Sequence, residues 1–235
     1  MIVRDRGDSW QIVFQTDHAD LSADAARAWA DKGPRHGSLA VAAERHDDGW
    51  AVWEQAPQVD ETGKPVNFLE VDVRSHLAFY RAGIAAITEQ DPYAGLLVAM
   101  HGAGIYRERY GLDPGLGLSR AADVQEEVDA FVAEQEAKFD LDEHRAEYDL
   151  LQFYDRFSLY FCMKDVEGGE ASDLQGYRFE PVGPWHVRLD PYPFVERPAR
   201  FSLLRYVVPK QERTGADLLQ ELRESGPERI EITIE

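Results

Sequence analysis

One carboxylate in this chain falls where a helix should be buried. Read at helical spacing, Asp155 shares its stripe with Tyr148, Leu151, Leu159 and Cys162, because residues three, four and seven apart lie on one helix face. A buried, unpaired carboxylate is costly, so it needs an ion partner, strong hydrogen bonds or a bound cation. No basic residue lies on that stripe, although Arg156 is adjacent in sequence. The histidines repeat the pattern. His18 falls with Leu21, Ala25 and Trp29, and His46 with Leu39, Ala42 and Ala43. His76 lies with Phe79, Tyr80, Gly83 and Ile87, and His101 with Leu97, Val98 and Ile105. Asp47 follows His46 directly. Taken singly, a core histidine is commonly satisfied by a backbone carbonyl, and a core aspartate by a cap or a polar network. Five such residues on five predicted helices argue for one shared metal site. The remaining histidines read otherwise: His36 as a loop residue, His144 as solvated at a helix start, and His186 as part of a strand.

A site built from imidazole and carboxylate suits manganese, iron, zinc, cobalt or nickel. One or two such divalent ions would lower the pKa of bound water for hydrolysis. Asp48 or Glu44 could accept a proton there, and Arg45, Arg156, Arg74 or Lys64 could hold a phosphate. The sequence pins neither acid to that role, and each of the four basic residues reads equally well as a surface ion-pair member. Trp50 and Trp53 could stack on a planar group, or fill the core.

The elements that must position these residues are mostly helical. After a predicted hairpin (Ile2 to Arg4 and Trp10 to Phe14), a helix starts near Thr16 or Asp17 and ends before Gly33-Pro34. A second runs from about Ser38 to Asp47. Residues 50–73 read as a long loop, of the length that lids and binding segments have. Helices follow over roughly 74–90, 92–107, 121–138 and 141–163, with a glycine-rich loop at 110–119. Past Gly168-Gly169, short strands are predicted at Tyr177 to Pro181, His186 to Leu189, Phe201 to Val208 and Ile230 to Ile234, with a helix from Gly215 to Glu224.

Composition narrows the class. The 235 residues are 44% hydrophobic, enough for one domain with a real core. The single cysteine, Cys162, excludes an internal disulfide and a thiolate zinc cluster. No apolar run reaches the ~18 residues that span a bilayer, and the start lacks a signal-peptide pattern, so a cytoplasmic location is expected. The net charge of −19 disfavours binding to nucleic-acid backbones or anionic membranes. The lysine-poor, acidic composition fits a high-salt cytoplasm or, equally, a GC-rich genome.

The order of these residues resembles the HD superfamily of metal-dependent phosphohydrolases: His18, then the doublet His46-Asp47, then the distant Asp155. The stretches Gln15 to His18, His46 to Trp50 and Asp155 to Leu159 also resemble, more narrowly, the uncharacterised DUF3891 family. The HD resemblance implies that His76 and His101 add to a two-metal set, with Asp47 bridging the ions. Gly102 stands where cyclic-dinucleotide phosphodiesterases of that superfamily have a second histidine, which counts against their activity. The implied fold is α+β and mainly α. It is an HD-like helical bundle over about 15–163, with a small antiparallel sheet formed by segments 1–14 and 170–235, all in a single domain over 1–235. The expected activity is metal-dependent hydrolysis of a small-molecule phosphoester. An HD-type di-iron oxygenase and a non-catalytic, metal-stabilised binding module are the alternatives.

Overall fold

The computed structural model describes residues 1–111, 124–164, 166 and 169–235. Its helical layer follows the apolar periodicity closely. Helices α1 (Gln15–Ala28), α2 (His36–Arg45), α4 (Val73–Gln90), α5 (Pro92–Tyr106), α6 (Gln125–Glu136) and α7 (Arg145–Met163) each form where the sequence predicts one. Local chemistry sets several boundaries. Asp72 caps α4 by accepting from the Ser75 N–H, and Asp91 caps α5 through the N–H groups of Tyr93 and Ala94. Pro92 takes the first turn of α5, where a missing N–H costs nothing.

Residues 50–73 are less irregular than expected. They hold a one-turn helix, α3 (Ala51–Glu54), a 3-10 turn at Phe68–Glu70 and a bridge between Val59 and Pro65. The glycine-rich stretch from residue 112 to 119, and residues 121–123 at the expected start of α6, lie outside the described residues.

Helix α7 is the pivot. It packs against α1, α2 and α5 on the helical side, and Phe153 and Phe157 turn toward the sheet. There they meet Phe179, Phe194 and Phe201 at ring separations of 5.5–6.3 Å. Burying each such ring is worth about 1.5–3 kcal/mol, so this aromatic layer ties helices to sheet.

The sheet itself corrects the expected fold. It is not a small antiparallel one made by the termini. Strands β1 (Ile2–Asp5), β2 (Ser9–Val13), β3 (Ser172–Leu174), β4 (Tyr177–Gly183), β5 (His186–Asp190), β6 (Ala199–Pro209) and β7 (Glu228–Ile234) form one curled, seven-stranded mixed sheet. Its order is β1-β2-β6-β7-β5-β4-β3. The physical reason lies in β6. Its 11 residues are long enough to pair with β2 through one half (Ile12 opposite Tyr206) and with β7 through the other (Leu203 opposite Ile230). β7 then adds a parallel partner, β5, with His186 opposite Thr233. Helix α8 (Gly215–Ser225), begun by a Thr214–Asp217 capping box, connects β6 to β7. Among the described residues, no helix is long and apolar enough to cross a membrane.

Candidate metal centre

Four elements bring His18, His46, Asp47 and Asp155 together. His18 stands in the first turns of α1, and Asp155 in the middle of α7. His46 is the residue on which α2 ends, and Asp47 precedes the 3-10 turn Asp48–Trp50. That turn is held tightly against α4. A Cβ on Gly49 would lie 2.0 Å from the Phe79 carbonyl oxygen, so only glycine lets the chain pass and deliver Asp47 inward. All four side chains are at most 5% exposed.

Hydrogen-bond chemistry fixes which ring nitrogens face the cluster. His46 Nδ1 lies 2.9 Å from the Ala43 carbonyl, which only accepts, so this nitrogen carries the proton. Ser158 gives its single hydroxyl proton to the His18 carbonyl at 2.9 Å and therefore accepts from His18 Nδ1–H. When both rings are neutral, each Nε2 lone pair turns inward. The two Nε2 atoms are 3.1 Å apart. From His18 Nε2, Asp47 Oδ2 and Asp155 Oδ1 are each 3.4 Å away; from His46 Nε2 they are at 3.5 and 3.7 Å. In that state the two ring nitrogens and two carboxylates face one another as acceptors only, and a proton or another cation must come between them.

Such a site attracts positive charge. Burial acts to lower the pKa of His18, but hydrogen bonds with Asp155 and Asp47 carry it well above the usual histidine range. Burial would raise Asp47, yet His46 and His18 hold it below the usual carboxylate range. Asp155 is likewise held well below that range against its burial, chiefly by Arg109 and His18. A metal ion fits as well as a proton does. Bonds of about 2.1 Å to a four-coordinate ion place ligand atoms about 3.4 Å apart, which the separations among His18, His46 and Asp47 match. These three have ligand atoms all within 4.8 Å of one another, and Asp155 lies outside that group although its Oδ1 is 3.4 Å from His18 Nε2.

A second set of groups backs the first. Tyr80 donates to Asp47 Oδ1 at 2.9 Å and lies 3.3 Å from His101 Nε2, from which it must therefore accept. His101 Nδ1 faces the Gln152 amide nitrogen at 2.9 Å. The orientation of that amide is set by Arg109, which donates to Gln152 Oε1 at 3.0 Å and to Asp155 Oδ2 at 2.6 Å. Both ring nitrogens of His101 are thus engaged by Gln152 and Tyr80. His76 Nδ1 contacts the Tyr106 hydroxyl at 2.6 Å. Burial lowers the pKa of His76 to about 4 and that of His101 to about 3, so both rings are neutral near pH 7.

These groups border a small cavity of about 40 Å³, whose wall includes His18, Asp47, Trp50, His76, Arg109 and Asp155. By the same measure a water needs about 10–15 Å³, so the space suits an ion and a few small groups. Phe68 and Leu69 complete one side, which puts the end of segment 50–73 over the site. Trp50 is 1% exposed and packs against Phe79 and His76 at ring separations of 5.0 and 5.3 Å.

Other residues singled out in the sequence lie elsewhere. Glu44 pairs with Arg27, Asp48 with Arg45, and Lys64 with Glu70, all part-exposed and outside the cavity wall. Arg74 pairs with Glu127 on the surface. Arg156 is buried but does not border the cavity, and Trp53 packs on Trp50 behind it. His144, expected in solvent, is buried, with Nδ1 3.1 Å from Arg35. The residues that sequence reasoning missed are Arg109, Gln152 and Ser158. The last two lie one turn either side of Asp155 and are fully buried, a polar spacing on an apolar helix that was open to notice.

The sequence pattern of a protein family of unknown function, DUF3891, matches residues 1–210, which include every residue of this centre. The chain belongs to that family. No curated protein and no solved structure matches it.

Proposed function

We propose that this DUF3891 protein is a metal-dependent hydrolase acting on a small phosphoester, with its ion held by His18, His46, Asp47 and Asp155. The observation that carries the reading is the buried group of His18, His46 and Asp47, whose ligand atoms lie close enough to hold one ion, with the buried Asp155 carboxylate 3.4 Å from His18 Nε2. The order of these residues along the chain, like that of HD phosphohydrolases, is the second support. A divalent ion bound there supplies Lewis acidity and an activated water at neutral pH. The chain supplies the rest. Ser158 and the Ala43 carbonyl orient the two imidazoles. Tyr80 steadies Asp47, and Arg109 steadies Asp155. Trp50, Phe68 and Leu69 supply the apolar part of the cavity wall.

Charge also favours an anionic substrate. With both imidazoles neutral, as metal ligands must be, two carboxylates against one guanidinium leave the centre negative by one charge; a divalent ion reverses that sign, and a phosphoryl group restores balance. This local reversal is needed in a protein whose net charge is −19. The oxygenase reading requires His101 as a ligand of a second iron, and the engagement of His101 by Gln152 and Tyr80 favours hydrolysis instead.

Elemental analysis of protein purified without a metal-carrying tag, beside a His46→Ala, Asp155→Ala double variant, tests the site. Metal in the wild type, absent from the variant, together with turnover of a chromogenic phosphoester panel by manganese-, zinc- or cobalt-loaded protein, is the expected result. A wild type that neither holds nor takes up metal would overturn it.

A further inference from the structure

We infer that Arg109 takes the place of a second metal ion in this cavity and grips the anionic group of the substrate, so that the working centre holds one divalent ion and one guanidinium. The inference rests on the metal reading above and adds to it the nuclearity of the site and its anion anchor.

Four observations converge on Arg109. It is 7% exposed and borders the cavity. Its Nη1 spans Asp155 and Gln152, yet among the described residues its Nε has no hydrogen-bond partner. A buried, unpartnered guanidinium nitrogen is costly to keep, and an oxyanion arriving in the cavity would satisfy it. Trp50 repeats the pattern: it borders the same cavity, and its buried indole N–H also lacks a partner among the described residues. Two spare donors, one of them charged, thus belong to the wall of a space bordered by the ion's carboxylate ligands. Finally, the guanidinium orders both carboxylates, Asp155 directly and Asp47 through Gln152, His101 and Tyr80. That relay leaves His101 no lone pair for a second ion. The matching ligand is a compact tetrahedral oxyanion, namely the phosphoryl end of a small phosphoester.

The test titrates inorganic phosphate into the manganese-loaded full chain by calorimetry, with metal per chain counted in parallel, for wild type, Arg109→Gln and Arg109→Lys. One ion per chain is expected in all three. Phosphate affinity should fall about tenfold or more in Arg109→Gln, with a smaller loss in Arg109→Lys. Two ions per wild-type chain, or phosphate affinity within about twofold of wild type in Arg109→Gln, would overturn the inference. Should Arg109→Gln fail to fold, as judged by circular dichroism, Arg109→Lys carries the comparison; unchanged affinity there overturns it too. If the wild type binds no metal, the hydrolase reading fails separately. The same titration on the metal-free protein then decides Arg109: a tenfold loss supports the anion grip, and an unchanged affinity or no binding to wild type removes it.

Discussion

Replacing Asp155 by Asn separates a metal centre from a polar core network, because the two make opposite demands on this residue. In the metal-free chain the effects of the change oppose one another. The amide introduced by Asp155→Asn keeps an oxygen that can accept from Arg109, but it loses the charge assistance of a bond that is 2.6 Å long in the native chain. That loss costs about 1–3 kcal/mol. Against it, the change brings an amide donor toward the His18 and His46 side chains and removes one of the two buried carboxylates crowded there. The metal-free melting temperature should therefore move by only a few degrees. The metal-dependent part behaves differently. Ion present at about 100 times its dissociation constant stabilises the folded chain by about 2.7 kcal/mol, or about 5–10 °C in a domain of this size. Differential scanning fluorimetry with and without manganese or zinc measures both quantities. The wild type should gain the full increment, and Asp155→Asn should lose nearly all of it. If the wild type shows no increment, or Asp155→Asn retains it in full, the metal assignment of Asp155 is wrong.

Ser158→Ala removes the acceptor that orients His18 and should weaken metal binding about 10- to 100-fold, measured by competition with a chromogenic chelator, while an unchanged affinity would show that Ser158 does not set the tautomer. Gly49→Ala drives a Cβ into the Phe79 carbonyl and should cost about 1–3 kcal/mol or more in urea unfolding, with loss of metal because Asp47 moves too; wild-type stability would refute the close approach. Glu44→Gln and Asp48→Asn break only part-exposed ion pairs, worth about 0–1 kcal/mol, and should leave metal content unchanged by elemental analysis. A loss of metal in either would move the centre toward the surface turn.

How far the fold could be read from the chain depends on what fixes each element. Helices α1, α2, α4 and α6 were legible because each buries one face, and a stripe of period 3.6 is written in the local sequence. Helices α5 and α7 are buried nearly all round along much of their length and show instead as long apolar runs, while the one-turn α3 read as loop. Asp72 and Asp91 even mark where α4 and α5 begin. The sheet was not legible to the same degree. Its individual strands are visible as β-branched and aromatic runs, but their order depends on which edges meet in space. Nothing local shows that β6 serves two partners along its length, or that β5 runs parallel to β7. The three-residue β3 is too short to carry any alternation at all.

The same distinction divides the centre. His18, His46, His76, His101 and Asp155 announce themselves by being polar at apolar helical positions, and the fold brings them around one cavity or its backing network. Arg109 had no such signal. It lies beyond the end of α5, in a turn where Glu108, Arg109 and Tyr110 all have positive φ near 50°. That left-handed region is unfavourable for residues with a Cβ, so no propensity predicts it and no periodicity marks its direction. An arginine between Glu108 and Tyr110 reads as a solvated charge. Only the three-dimensional path turns it back beneath Asp155, where it becomes the buried cation of the site. A strained backbone of this kind persists when surrounding contacts over-determine it, and the contacts here are with Asp155 and Gln152 on α7. The strain and the charge therefore belong to one device: a turn that the helix cannot supply, held in place by the carboxylate it serves.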